Sequence, residues 1–239
     1  MYNILNSLKK DGNMSANYGK KEEVIQNRKK FFHDKIPYEN TIRIIANHSD
    51  KIKILDDNFL KDKKYLSTYT IETDCIFLTK KDIFVYIAFA DCIPLVIYDK
   101  KKDILAFAHL SNKSASLNLH LKVIDKFINE FKSNKDDLIV EFGPSIKGES
   151  YVFESPYQLE IKKWKEYLID IGNNNYEIHL DKYIYDDIVR FGIKKIITND
   201  IDTCTNENYF SHYNAMKGNE KEGRFICGVY LDNKKTDTK

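Results

Sequence analysis

The sequence predicts an α+β fold, a single domain of layered mixed β-sheets flanked by helices. Three observations predict it. From Cys75 to His109, apolar runs of strand length follow one another with polar breaks between them. Two later stretches, 116–132 and 182–191, place apolar residues at helical spacing. Strands and helices do not alternate strictly, and no Pro/Gly/Ser-rich linker or internal repeat divides the 239 residues. A chain of this length buries roughly 70–75% of its unfolded surface, enough for a sizeable core. The domain is expected to span 1–232, with the Lys/Asp/Thr-rich 233–239 a disordered tail.

The elements follow in order. Residues 22–32 carry Val24, Ile25, Arg28, Phe31 and Phe32 on one helical face. Short strands at 42–45 and 51–55 flank a turn that holds His48. Strands are then expected at 76–78, 84–90, 95–98 and 104–110. The connector Asp99-Lys100-Lys101-Lys102-Asp103 is short and charged, which suits a hairpin between the last two. Leu119, Val123, Ile124, Phe127, Ile128 and Phe131 form the core stripe of a helix over 116–132. A buried strand at 137–142 ends at Gly143-Pro144. Ser155, Pro156 and Gln158 have the order of cap, first helical position and capping box, so a helix is expected to run to about Ile169. A helix over 182–191 stops at Gly192, and strands at 194–198 and 224–231 complete the chain.

Composition narrows the function classes. Lys plus Arg number 38 against 36 Asp plus Glu, a net charge of +2, which argues against a general attraction to nucleic acid or membranes. The first twelve residues are polar and charged, and no apolar run approaches about 18 residues, so neither a signal peptide nor a membrane span is expected. Cys75, Cys92, Cys204 and Cys227 are scattered without a C-x-x-C pair, the usage of a cytoplasmic protein with reduced thiols. A monomer or weak homo-oligomer is expected.

Three stretches each offer one soft ligand: His48 in Ala46-Asn47-His48-Ser49-Asp50, Cys92 in Ala90-Asp91-Cys92-Ile93-Pro94, and His109 in Ala106-Phe107-Ala108-His109. Two imidazoles and a thiolate make three protein ligands, and a four-coordinate zinc then keeps one position open for chemistry. Cys92 precedes one strand of the expected hairpin and His109 ends the other, so antiparallel pairing brings them together. Taken singly, each is an ordinary loop or strand-end residue, and Cys75 reads as a buried hydrophobe. Asp91 and Asp74 read either as turn-formers or as acceptors that orient a ligand.

Phe89-Ala-Asp-Cys-Ile-Pro-Leu-Val-Ile-Tyr-Asp99 resembles the T-A-D-C-x-P-(apolar)-Y-D signature of the YfiH, or laccase-domain, family, once labelled multicopper polyphenol oxidases. Other stretches follow that family's order. Asn17-Tyr18-Gly19 and Asn27-Arg28 resemble its S-L-N-L-G and N-R. Ala46-Asn47-His48-Ser49-Asp50 is similar to Q-V-H-G-D, Glu72-Thr73-Asp74 to A-D-A, and Ala108-His109 starts its A-H-A-G-W-R-G. Gly143-Pro144-Ser145-Ile146 resembles G-P-A-I, and Cys204-Thr205, Phe210-Ser211-His212-Tyr213 and Gly223-Arg224 resemble C-T, F-S-Y-R and G-R.

The resemblance implies a YfiH-like fold, with kinship to toxin deamidases, and one zinc per chain on His48, Cys92 and His109, copper being the lesser choice. It implies a purine nucleoside phosphorylase and adenosine deaminase acting on adenosine, inosine, guanosine or methylthioadenosine. Its partners are then a small purine nucleoside and phosphate, with metal-bound water or phosphate as nucleophile. Arg43 and Arg224, rare guanidiniums in a Lys-rich chain, are candidate anion contacts, joined by Lys113 and His212; Arg28 is either a further contact or the helical partner of an acid. The chain also departs from the family. Ser111-Asn112-Lys113-Ser114 replaces G-W-R-G, with Lys113 for the Arg and the Trp lost, and Ser211-His212-Tyr213-Asn214 replaces S-Y-R-R, with loss of basic residues. Glu149-Ser150-Tyr151-Val152 replaces C-C-Y-E, and Ser49 replaces a Gly. Two alternatives therefore stand beside the enzyme: a catalytically eroded member that retains zinc or nucleoside binding, and a metal-free cysteine hydrolase using Cys92 with His109 as base. A polyphenol oxidase is disfavoured, because three ligands in one cluster do not make a multicopper centre.

Overall fold

A computed structural model describes residues 1–61 and 66–232; the expected tail at 233–239 lies outside the described residues. The strands are β1 Tyr2–Asn6, β2 Thr41–Ile45, β3 Ile52–Leu55, β4 Thr70–Glu72, β5 Cys75–Leu78, β6 Phe84–Phe89 and β7 Ile93–Asp99. They continue with β8 Ile104–Leu110, β9 Leu138–Phe142, β10 Val152–Glu154, β11 Leu168–Gly172, β12 Asn175–Ile178, β13 Lys195–Ile197 and β14 Phe225–Leu231. The α-helices are α1 Lys21–Phe32, α2 Asp57–Leu60, α3 Asn112–Ser116, α4 Leu119–Asn129, α5 Leu180–Phe191 and α6 His212–Met216.

Two mixed sheets stack face to face. One has the order β1-β14-β6-β2-β4 and the other β13-β9-β7-β8-β5-β3. Ile42, Ile44 and Phe225 from the first meet Ile76, Val96 and Phe107 from the second in a shared core. The opposite face of the six-stranded sheet presents Phe77, Leu95 and Ala106 to Val123 and Phe127 of α4 and Ile184 of α5. On the outside of the five-stranded sheet, Phe31 and Phe32 of α1 pack on Phe84, Tyr86 and Ile226. The order of layers is helix, sheet, sheet, helices, the α+β architecture the sequence predicts. Strand β7 is buried along its whole length, which explains its unbroken apolar run. No helix among the described residues is long and apolar enough to cross a membrane.

The expected helix from Ser155 to Ile169 does not form. Ser155 adopts φ +45°, left-handed where a Ser cap is ordinarily extended, and Pro156 is extended. Two short 3-10 segments follow, Tyr157–Glu160 and Lys162–Tyr167, separated by an extended Ile161. Tertiary anchoring wins over the local signals. Trp164 is fully buried, stacks on Tyr183 at a centroid distance of 4.2 Å, and donates Nε1–H to Ser116 Oγ at 2.9 Å. Residues 168–172 then join the antiparallel sheet β10-β12-β11. The helix expected over 116–132 starts later, because Asn118 turns left-handed at φ +61° and separates α3 from α4.

Candidate metal centre and its two cavities

The hairpin β7–β8 sets the site. Its register pairs Ile93 with Leu110 and Pro94 with His109, so Cys92 arrives beside the His109 end of the ladder as the charged connector foretold. His48 comes from the turn between β2 and β3, where it takes φ +55°. One ligand atom from each of His48, Cys92 and His109 lies within 4.8 Å of the others. The two imidazoles meet edge to face, with ring centroids 5.0 Å apart. Among the described residues this is the only cluster of three His, Cys or acidic groups suited to an ion.

Asp74 organises two of the three. It precedes β5 with no solvent exposure, and its carboxylate accepts backbone N–H bonds from Asn47 at 3.2 Å, His48 at 3.0 Å and Ser49 at 2.8 Å. The Ser49 hydroxyl donates to it at 2.6 Å, and His109 Nδ1 lies 3.0 Å from Oδ1. A second tie, His109 N–H to the Asp74 carbonyl at 2.8 Å, fixes the backbone. The carboxylate thus shapes the His48 turn and also aims the His109 ring, leaving Nε2 for the cluster. Burial opposes its charge, but the bonds from His109 and Ser49 hold its carboxyl down to about 2.

The two histidines sit in opposite fields. Burial and the neighbouring His109 push His48 below the ordinary imidazole range. Burial also opposes the charged form of His109, but Cys92 and Asp74 outweigh it and lift that ring to about 9. An N₂S donor set, a carboxylate behind one imidazole, and three atoms that converge from separate elements all fit a bound ion.

Asp91 holds the Cys92 loop from the other side. It turns the chain at φ +77°, accepts from Thr203 Oγ1 at 2.8 Å and from Tyr213 N–H at 2.7 Å, and its carbonyl accepts from Ile146 N–H at 3.0 Å. Cys75 is fully buried, as expected of a small hydrophobe.

Two cavities meet at the centre. The first, about 480 Å³, is lined by Tyr151, Phe153, Tyr157, Tyr213 and Met216, with Lys113 among its residues. The second, about 300 Å³, is lined by Arg43, Arg224, Tyr18 and Asn17, together with His109. His48, Cys92 and His212 line both. The candidate contacts therefore divide: Arg43 and Arg224 on one side, Lys113 on the other, His212 between. Arg43 Nε is buried with no hydrogen-bond partner among the described residues. Arg224 pairs with Glu222 and stacks over Tyr18 at 4.1 Å. Among the described residues Arg28 pairs with no acid, and it lines neither cavity. It is buried, donates Nε–H to the Met14 carbonyl at 3.0 Å, and lies over the Tyr86 ring. The aromatic wall went unread in the sequence, because its Tyr and Phe residues come from segments with no helical or strand period of their own.

The family model described as multi-copper polyphenol oxidoreductase laccase matches residues 6–232. The chain belongs to this family. Purine nucleoside phosphorylase YlmD of Bacillus subtilis is 32% identical over 82 residues, 34% of this chain and 30% of that one. A purine nucleoside phosphorylase of Clostridium acetobutylicum is 35% identical over 106 residues, 44% of this chain and 41% of that one. The matched segments span less than half of these two laccase-domain relatives. In structure, the hypothetical protein YfiH of Bacillus licheniformis superposes with a TM-score of 0.79 at 22% identity, over 92% of this chain and 85% of that one. YlmD of Geobacillus stearothermophilus gives 0.80 at 15% identity over the same shares. These likenesses show the YfiH fold. Among the described residues of this laccase-domain chain, the candidate site for an ion is the cluster of His48, Cys92 and His109.

Proposed function

We propose that this protein is a zinc-dependent purine nucleoside phosphorylase, with adenosine, inosine, guanosine or methylthioadenosine as substrate. The observation that carries the reading is the junction of an aromatic cavity and a guanidinium-lined cavity at His48, Cys92 and His212. The names of the curated relatives agree with it.

Tyr151, Phe153 and Tyr213 offer ring faces on which a purine stacks. Arg43 and Arg224 offer planar forks that match phosphate oxygens. Arg43 is the stronger of the two, since Arg224 already pairs with Glu222. In phosphorolysis a phosphate oxygen bonds to C1′ of the ribose while the bond from C1′ to the base nitrogen breaks, and the base departs with the electron pair. Holding base and phosphate in adjoining cavities removes much of the entropic barrier to that encounter. His48, Cys92 and His109 would hold the ion, which when bound supplies Lewis acidity near the reacting atoms. Zinc suits the N₂S set, and copper shares that preference.

The positions where the family pattern has Arg, here Lys113, Tyr213 and Asn214, do not belong to the guanidinium cavity. This supports a working phosphate site over an eroded one. Deamination of adenosine is the second reading, favoured because His48 and Cys92 also line the aromatic cavity. The four free cysteines fit a reducing, cytoplasmic setting. The test is product analysis of adenosine incubated with and without phosphate. Phosphate-dependent release of adenine and ribose 1-phosphate is expected. Inosine alone would replace the reading with the deaminase, and no product from any purine nucleoside would overturn both.

A further inference from the structure

The aromatic cavity does not end at its aromatic wall. A smaller cavity of about 220 Å³ adjoins it, and the two share Asn112, Phe153 and Tyr157. Gln158 lines this extension and is 1% exposed, yet neither Nε2 nor Oε1 has a hydrogen-bond partner among the described residues. Asn112 donates from Nδ2 to the Tyr151 hydroxyl at 2.9 Å, which leaves its buried Oδ1 unpartnered as well. Three unsatisfied amide atoms on two residues of one small cavity are costly, each on the order of 1–3 kcal/mol, unless something polar arrives to meet them.

We propose that Asn112 and Gln158 form a base-reading subsite that selects a 6-aminopurine over a 6-oxopurine. The inference rests on the purine reading given above and adds the choice of base. Asn112 Oδ1, a carbonyl oxygen, can only accept, and the amide nitrogen of the same side chain is turned to the Tyr151 hydroxyl. An exocyclic amine can donate to it, whereas a carbonyl oxygen in the same place sets lone pair against lone pair. Gln158 supplies one donor and one acceptor, the complement of a ring nitrogen beside an amine, the pairing by which a carboxamide reads adenine elsewhere. The rest of the purine remains between Tyr151, Phe153 and Tyr213. Asn112 stands where the family pattern has Trp, so this polar end is a property of this chain's own Ser111-Asn112-Lys113-Ser114 stretch. Its capped helix α3 supports it: Ser111 accepts from and donates to Ser114, which locks the turn that presents Asn112.

The test is calorimetric binding of free adenine and free hypoxanthine to the full chain without phosphate, so that no turnover intervenes. Adenine is expected to bind about tenfold more tightly, the worth of one buried hydrogen bond against an unpaired acceptor. Asn112→Leu should abolish the preference, and Asn112→Asp, which keeps an acceptor, should retain it. Gln158→Met should weaken both bases. Equal binding of the two bases, or a preference that survives Asn112→Leu, overturns the subsite while leaving the purine reading intact. Failure of both bases to bind the wild-type chain removes the purine reading and this inference with it. The wild-type comparison stands even where a variant fails to fold.

Discussion

Asp74 Oδ1 lies 3.0 Å from His109 Nδ1, and the same carboxylate accepts the backbone N–H of His48 at 3.0 Å. One buried acid thereby couples two candidate ligands that are 61 residues apart in the chain. This sort of support behind a metal histidine typically changes metal affinity by 10–100-fold. Asp74→Asn is accordingly expected to weaken zinc binding by about 10–100-fold in a chelator competition, with the fold retained by circular dichroism. Unchanged affinity would mean that the carboxylate only shapes the turn.

An ion held by His48, Cys92 and His109 should also stabilise the fold, since these residues come from a turn, a strand start and a strand end. An ion bound to the native state alone, at a hundred times its Kd, adds about 2.7 kcal/mol, or roughly 5–10 °C in Tm for a chain of this size. Stripping with a chelator should lower Tm by that amount, and Cys92→Ala should show no response to added zinc in the same thermal scan.

Arg43 is expected to act on phosphate rather than on the nucleoside. Among the described residues its Nε is buried without a partner and no acid pairs with it, so an anion in that cavity meets an unclaimed guanidinium. Arg43→Lys should raise KM for phosphate about tenfold, the cost of exchanging a fork for a point charge, and leave KM for nucleoside within twofold. A rise in both would place Arg43 in general support of the site.

Trp164 is the anchor that displaces the expected helix. Trp164→Ala should cost about 3–5 kcal/mol in denaturant unfolding, and Ser116→Ala, which removes only the partner of Nε1, about 1 kcal/mol. Loss of stability at Ser116 equal to that at Trp164 would point to the hydrogen bond rather than the buried ring as the anchor.

The parts of the fold legible in the sequence are those whose signals are periodic and whose neighbours are close. The β7–β8 hairpin was readable from its apolar runs and charged connector, and with it the approach of Cys92 to His109. Helix α5 ended at Gly192 as expected, where φ is +100°. Residues 155–169 misled because their start has the residue types of a helix cap while Trp164 and Tyr167 are held by distant packing. The strand Tyr2–Asn6 was hidden by its polar residues, half-buried at the edge of a sheet. At the site, the ligand trio came from local context and family likeness. The choice between the turn-former and acceptor readings of Asp74 and Asp91 could not come from either, because it is decided by which distant N–H groups converge on a carboxylate.

The measurement that tests the central claim most directly is metal content, determined on purified wild type and Cys92→Ala alongside phosphate-dependent release of adenine from adenosine. The account predicts one zinc per wild-type chain with turnover, and neither metal nor turnover in the variant. Full turnover in a metal-free wild-type preparation, lost on Cys92→Ala, would contradict it and leave Cys92 as a nucleophile.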